Sequence, residues 1–160
     1  MRLTAVQEDY LETIYKLSKT NSGVRVTDIA KQLGCRLPTV TRTVRKMTAM
    51  KYIEHKSRGL VSLSRKGMSM AENIAHRHAD ILRFLKTILK LSKKQAEEDA
   101  CKIEHGLSPM AAQRLHEFLD YIDNLDEPDR KVINKFLGRV STTTADFPHL
   151  RSSKTSGWRG

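Results

Sequence analysis

The chain has 160 residues, 39% of them hydrophobic, and a formal net charge of +11 at pH 7. This length allows one compact domain or two small ones with an adequate core. No apolar run approaches the roughly 20 residues that span a bilayer, and the N-terminus has no secretory signal pattern. We therefore expect a cytoplasmic protein whose two cysteines, Cys35 and Cys101, are thiols or ligands rather than a disulfide.

The first three predicted elements are helices. The first runs from about residue 4 to 19, with Thr4 as its N-cap and an apolar stripe on one face. A short helix follows over residues 26–34, with Thr27 as N-cap and Gly34 as its stop. A third helix opens at Pro38 and ends near Met50, which makes a helix-turn-helix unit. The predicted stripe of the first helix consists of Val6, Tyr10, Ile14 and Leu17.

A β-hairpin and further helices are predicted for the rest of the chain. Residues 52–56 and 60–63 have the composition of two strands around a turn at 57–59, which is typical of a wing. The next helix, from Ser64 to about Leu91, has more apolar face than a monomer of this size needs, so we expect a homodimer. Ser92 and Gln95 have the form of a capping box for the helix that follows. Further helices are expected over 92–106, 108–122 and 126–137.

The predicted fold is therefore mainly α, with an N-terminal winged helix-turn-helix and a C-terminal helical half. We expect a first domain at 1–66, a second at 67–138, and a flexible tail at 139–160, because that tail is rich in Ser, Thr, Gly and Arg without periodicity.

The excess of positive charge is concentrated on the helix-turn-helix. Residues 31–66 contain ten Lys or Arg side chains against one acid, Glu54, which gives +9 in that stretch. Such a basic patch is the electrostatic pattern of a protein that binds the phosphate backbone of DNA.

Three kinds of metal-binding side chain share one face of the predicted helix over 92–106. Cys101, Glu104 and His105 stand at i, i+3 and i+4, which at about 100° per residue is one helix face. Asp9 and Glu12 form a similar pair on the first helix, and His78 lies on the long middle helix. Six donors from three segments next to a DNA-binding pattern favour a transcription factor that responds to a metal. We therefore expect a DNA-binding domain at 1–66 and a metal-binding and dimerisation domain at 67–138.

Several short motifs, in order, resemble the diphtheria toxin repressor family, which includes the manganese transport regulators. They are Glu8–Tyr15, the helix-turn-helix through Thr39–Thr41, the wing Arg58–Leu60, Arg77–His78 and Ile103–His105. The resemblance covers about residues 4–123. It implies a homodimeric winged-helix repressor with Fe(II) or Mn(II) as corepressor, bound to palindromic operators of metal-uptake genes. The chain is similar to the short form, without an SH3-like C-terminal domain.

By position, the resemblance places metal ligands at Asp9, Glu12, His78, Cys101, Glu104 and His105. Asp9 is similar to the manganese-type members and Cys101 to the iron-type members, so the physiological metal stays open, and Co(II), Ni(II) or Zn(II) could bind in vitro. Leu82 replaces an acid found in many members, which argues against a complete ancillary site. His55, His76, His116 and His149 match no ligand position.

The N-terminal half of the second helix of a winged helix enters the major groove. Arg42 is the leading base reader, and Pro38 is placed against a thymine methyl group by analogy with the family. Arg45 and Lys46 are expected to hold phosphates, and Arg58 to follow the DNA backbone from the wing tip. The complete predicted DNA-binding set is Arg36, Pro38, Thr39, Thr41, Arg42, Arg45, Lys46 and Arg58.

Two other classes of protein stay open at this point. A winged-helix regulator with an organic effector, or with none, would share the basic region but have no use for the six donors. A metalloenzyme could use a mixed site to activate water, but the sequence offers no substrate motif or separate general base, and the basic patch would be unexplained. We therefore expect a regulator and not an enzyme.

Overall fold

The computed structural model describes residues 3–56 and 59–138. Within them it has seven helices and a small antiparallel sheet, which confirms the predicted fold class. The elements are α1 (Ala5–Thr20), β1 (Val24–Arg25), α2 (Val26–Leu33), α3 (Leu37–Ala49), β2 (Ile53–His55), β3 (Leu60–Leu63), α4 (Arg65–Thr87), α5 (Lys93–Glu104), α6 (Pro109–Asp123) and α7 (Glu127–Leu137).

The helix-turn-helix is formed as predicted, with one correction. The side chain of Thr4 caps α1, and Gly34 ends α2 in the left-handed region at φ +62°, where a residue without Cβ is favoured. The predicted N-cap Thr27 is wrong. The N-cap is Arg25, whose backbone N–H donates to the carboxylate of Asp28 at 2.8 Å. Asp28, in the first turn of α2, therefore caps the helix by accepting the backbone N–H of the N-cap residue.

The wing is a three-stranded sheet in the order β1-β3-β2, not a two-stranded hairpin. Val24 pairs with Val61 and Ile53 with Leu63, both antiparallel. The sequence analysis missed β1, because two residues are too few to show an alternating pattern. The predicted wing tip at Ser57 and Arg58, and the tail over 139–160, lie outside the described residues.

The long helix α4 begins where the predictions place it and ends earlier. Ser64 caps it, but the helix ends at Thr87 rather than near Leu91. Lys90 has φ +55°, so the chain turns sharply before α5. The proposed capping box at Ser92 is half formed: Ser92 accepts from the backbone of Gln95, whereas the side chain of Gln95 donates to Asp99.

Two hydrophobic clusters share α4. The first joins α1, α2, α3 and the sheet, and includes Ala71 and Ile74 of α4. The second joins Ile81 and Leu85 of α4 to Ala96 and Ala100 of α5. Of the predicted stripe on α1, Tyr10 and Ile14 are buried, but the prediction for Val6 is wrong, because it is 59% exposed.

No helix in the ranges 3–56 and 59–138 is long and apolar enough to cross a membrane. The division of the chain at residue 66 stays a prediction.

The junction between the wing and α4 generates the first testable prediction. Ser64 donates from its backbone to Tyr52 and from its hydroxyl to Lys51, and a Cβ on Gly67 would overlap the backbone oxygen of Tyr52. We expect Gly67→Ala to lower the free energy of unfolding in chelator by about 2 kcal/mol or more, as overpacking does.

Urea denaturation measures this change, and Gly106→Ala is the matched control. A Cβ on Gly106 would meet its nearest atom at an ordinary 3.6 Å. Equal stabilities for the two variants would show that α4 does not dock rigidly on the wing.

Candidate metal centre and nucleic-acid interface

A buried carboxylate lies at the middle of the candidate metal centre. Glu104, in the last turn of α5, is 2% exposed. Its Oε2 lies 2.8 Å from Nδ1 of His78 on α4, and its Oε1 lies 3.4 Å from Nε2 of His105. A carboxylate taken out of water needs charged or hydrogen-bonding partners, and two imidazoles supply them here.

His105 connects α5 to α1. It stands at the C-cap of α5, and its Nε2 lies 2.9 Å from Oδ1 of Asp9. Its Nδ1 lies 3.1 Å from Oε2 of Glu8, which also accepts a hydrogen bond from the Arg77 guanidinium of α4 at 2.6 Å. His105 therefore joins α5 to α1, and Arg77 of α4 reaches the same group through Glu8.

Cys101 completes a compact group of three ligand types. Ligand atoms of His78, Cys101 and Glu104 all lie within 4.8 Å of one another. Cys101 and Glu104 are three residues apart on one helix, so their side chains leave the same face.

The protonated forms of three site residues are favoured. The hydrogen bond to Glu104 raises the pKa of His78, and this effect outweighs burial. Burial raises the pKa of the Cys101 thiol, and the negative charge of Glu104 adds to it. Burial also raises the pKa of Asp9, against the opposing effect of His105. A metal ion that binds here has to displace protons, as ions bound to thiolate and imidazole ligands do.

Glu12 gives a direct test of whether the residues fit a metal ion. Its Oε1 is buried and accepts no well-directed hydrogen bond in the described structure, although Nζ of Lys16 lies 2.9 Å away. Its charge contributes to the raised pKa values of Asp9, His78 and Cys101, so it lies beside them. A buried carboxylate oxygen that pairs with Lys16, near imidazole, carboxylate and thiol donors, fits a divalent first-row transition ion.

The structure brings five of the six predicted donors into one group from α1, α4 and α5. Asp9, His105, Glu104 and His78 form a chain of direct contacts, with Cys101 beside the last two and Glu12 next to the group. Leu82, which replaces the expected acid, packs against the second hydrophobic cluster.

Two acidic residues near the site escaped the sequence analysis. Glu8 holds His105 and Arg77. Its place immediately before Asp9 and four residues before Glu12 was the signal that could have found it. Glu97 has Oε2 3.6 Å from Nε2 of His78. Because it stands four residues before Cys101, helical spacing could have placed it on the ligand face.

The predicted DNA-reading side chains lie on one open face of α3. Arg36, Pro38, Thr39, Arg42, Arg45 and Lys46 are exposed, and Thr41 is half-buried. Leu37, Pro38, Thr41, Arg42 and Arg45 line a shallow concavity. The Thr41 hydroxyl donates to the backbone oxygen of Leu37 at 2.9 Å, so it is left to act as an acceptor. Arg58 lies outside the described residues.

A winged helix with an exposed basic helix, joined through α4 to a helical half with a donor cluster, defines the class of metal-responsive DNA-binding regulators. Residues 2–61 match the family described as iron dependent repressor, N-terminal DNA binding domain. Residues 64–139 match iron dependent repressor, metal binding and dimerisation domain. The chain belongs to this family of metal-dependent transcriptional regulators, which are not enzymes, and the resemblance inferred from the sequence is confirmed.

Curated relatives match over most of their length. An uncharacterized HTH-type transcriptional regulator of Methanocaldococcus jannaschii is 36% identical over 114 residues, which are 71% of this chain and 91% of the relative. The HTH-type transcriptional regulator MntR of Bacillus subtilis is 34% identical over 135 residues, 82% of this chain and 94% of that protein.

Two solved structures with the same fold are longer chains. The manganese regulator SloR matches 76% of this chain and 55% of its own, with a TM-score of 0.64 and 28% identity. ScaR with bound Zn²⁺ matches 72% of this chain and 54% of its own, with a TM-score of 0.65 and 26% identity. This chain thus spans about half the length of these two solved chains.

The position of Glu8 generates a prediction about metal affinity. Its carboxylate orients His105, and loss of such an outer partner typically lowers metal affinity about 10- to 100-fold. We expect Glu8→Gln to weaken Mn(II) binding by that factor in isothermal titration calorimetry, while circular dichroism stays unchanged. Glu72→Gln, at an exposed position of α4, is the matched control. An unchanged affinity in Glu8→Gln would exclude the orienting role.

Proposed function

We propose that the chain is a homodimeric repressor that binds palindromic operators of manganese or iron uptake genes when Asp9, Glu12, His78, Cys101, Glu104 and His105 hold a divalent transition metal ion. The observation that carries this proposal is the convergence of donors from α1, α4 and α5 on the buried carboxylate of Glu104.

Charge explains why a cation matters to this arrangement. Burial contributes most to the raised pKa of Asp9, and the negative charges of Glu104 on α5 and Glu12 on α1 add to it, because like charges repel. In the structure, the ring of His105 lies between the two helices and offsets that repulsion. A bound divalent cation supplies two positive charges at this point. Asp9, Glu12 and Glu104 can then stay ionised and close together.

The link to DNA runs through α1. This helix packs against α2 of the helix-turn-helix and against α4. Asp9 and Glu12 therefore sit on the helix that supports the DNA-reading unit, whereas Cys101, Glu104 and His105 belong to the half that carries dimerisation. A metal ion held by these side chains would fix α1 relative to α5, and would thereby favour one conformation of the dimer over others. Its two recognition helices must stand about 34–36 Å apart to enter successive major grooves.

Roles of the DNA-contacting residues follow from their positions on α3. Arg42 is proposed to read guanine O6 and N7 in a bidentate manner, with Arg36, Pro38, Thr39 and Thr41 beside it in the groove. Arg45 and Lys46, a turn further on, would bind phosphates. Arg58 is proposed to contact the DNA backbone from the wing.

The apolar surface of the helical half supports the homodimer. Ile81, Leu85, Leu89, Ile103, Leu107 and Leu115 help to line an apolar groove between α4, α5 and α6. Leu89 and Ile103 are each 39% exposed in the single chain. A second copy would cover such residues, as homodimer interfaces bury apolar surface. A cytoplasmic location follows from operator binding.

The first test of this function is metal-dependent DNA binding. We expect Glu12→Ala and Glu104→Ala to abolish the stimulation of operator binding by Mn(II), which for allosteric couplings is about 5- to 150-fold. Both variants are expected to stay dimeric. The measurement is fluorescence anisotropy on a palindromic duplex selected from random sequence by the wild-type protein with Mn(II).

Glu98→Ala, exposed on α5, is the control, and Glu104→Gln covers the case in which Glu104→Ala does not fold. Stimulation that survives in Glu12→Ala and Glu104→Gln would refute the proposed ligands. Equal affinities of the wild type with Mn(II) and with chelator would instead favour the regulator with an organic effector or none.

The second test concerns the choice of metal. A thiolate shifts preference toward Fe(II), Co(II), Ni(II) or Zn(II), whereas a carboxylate suits Mn(II). We expect Cys101→Glu to lower the concentration of Mn(II) that half-activates operator binding, and to raise that of Co(II). Cys35→Ser is the control, because Cys35 is exposed and lies on the helix-turn-helix, away from Cys101 in the sequence. It should leave both concentrations unchanged. A parallel shift for both metals in Cys101→Glu would show that the thiol does not set selectivity.

A further inference from the structure

Arg77 belongs to one of the motifs that carry the family resemblance, but neither the resemblance nor the proposed function gives it a role. It lies on α4, next to the proposed ligand His78, and its side chain is 16% exposed. Its guanidinium donates through Nη2 to Oε2 of Glu8 on α1 at 2.6 Å. The side chain of Glu8 is itself 12% exposed, so this ion pair is largely shielded from solvent.

The stability of the fold does not by itself explain this pair. Two charges removed from water cost desolvation free energy, and apolar side chains of similar volume often stabilise a fold at least as well. In addition, Nε of Arg77 is buried and has no hydrogen-bond partner among residues 3–56 and 59–138. A buried donor without a partner costs further free energy. The place of the pair beside the metal centre therefore indicates a role in that centre.

The second contact of Glu8 shows what this role can be. The oxygen that pairs with Arg77 also lies 3.1 Å from Nδ1 of His105. The other ring nitrogen, Nε2, lies 2.9 Å from Oδ1 of Asp9 and 3.4 Å from Oε1 of Glu104. Both of these carboxylates are proposed metal ligands. On the side of Nδ1, by contrast, the positive charge of Arg77 already pairs with Glu8 and repels a further cation.

A neutral imidazole has one N–H and one lone pair, and they are on different nitrogens. A metal ion on the side of Asp9 and Glu104 needs the lone pair on Nε2. The hydrogen of His105 then lies on Nδ1, and Glu8 is the group that accepts it. Arg77 keeps the carboxylate of Glu8 in the position where it can do so.

We propose that Arg77 is a positioning residue of the metal centre, which holds Glu8 against Nδ1 of His105 and so leaves Nε2 as the nitrogen that binds the ion. This inference rests on the proposed function, since it takes His105 as a ligand. Outer partners such as carboxylates fix the tautomer and orientation of metal-binding histidines. Here the carboxylate is itself fixed by a guanidinium from another helix. Helix α4 thus supplies both the ligand His78 and a group that orients a ligand at the end of α5.

The first test measures the Mn(II) affinity of the full chain by isothermal titration calorimetry. Glu8 is no longer fixed in Arg77→Gln, so we expect this variant to bind Mn(II) about 10- to 100-fold more weakly, the range for loss of an outer partner. Arg77→Lys keeps the positive charge and is expected to recover most of this loss, because Arg77 contacts Glu8 through a single nitrogen. Arg83→Gln is the matched control. Arg83 lies on the same helix and pairs with Asp123 of α6, which carries none of the six donors.

A double variant separates the positioning role from a general loss of packing. If Arg77 acts through Glu8, loss of one partner already removes the effect of the other. Glu8→Gln combined with Arg77→Gln should therefore bind Mn(II) no more weakly than Glu8→Gln alone. Losses that multiply in the double variant overturn the proposal, and so does an Arg77→Gln affinity equal to that of the wild type. A wild type that binds no Mn(II) overturns the proposed function as well, which distinguishes the two failures.

A measurement on the wild type covers the case in which Arg77→Gln does not fold. Proton–nitrogen correlation NMR spectra of the chain loaded with diamagnetic Zn(II) show which ring nitrogen of His105 carries the hydrogen. We expect the hydrogen on Nδ1 and the metal on Nε2. Metal on Nδ1 overturns the proposal, because that nitrogen then cannot donate to Glu8.

Discussion

The buried carboxylate of Glu104 is the constraint on which the arrangement of the helical half depends. At 2% exposure, it needs positive or hydrogen-bonding neighbours, and His78 and His105 provide them. His105 in turn reaches Asp9 on α1. This buried charge thus lies where α4, α5 and α1 meet, between the DNA-binding half and the rest, and it requires partners from all three segments.

Helix α4 connects the contacts around Glu104 to the DNA-binding half. Its first half packs in the core of the winged helix, and its second half packs with α5. A continuous helix transmits a shift better than a flexible linker does, because its backbone hydrogen bonds hold both halves in one orientation. The proposed coupling is reciprocal, so operator DNA should tighten metal binding by the same factor by which the metal tightens DNA binding.

Local patterns in the sequence predicted the helices well and the short elements poorly. In α3, the apolar residues Val40, Val44 and Met47 recur at helical spacing, and all three are at most 1% exposed. The early end of α4 was missed, because apolar residues continue to Leu91 while Lys90 adopts a left-handed backbone that no periodicity reveals. Val6 was placed wrongly on the inner stripe, because helical period alone does not say where a neighbouring helix stops covering the face.

The sequence by itself determined the family and predicted a DNA-reading helix and six metal donors, since residue type and spacing along a helix are local properties. Tertiary structure decided which of these side chains touch. It showed that Glu8 links His105 to Arg77, and that Asp80 faces His116 from 36 residues away. Contacts between distant segments depend on how helices pack, and no pattern within one helix contains that information.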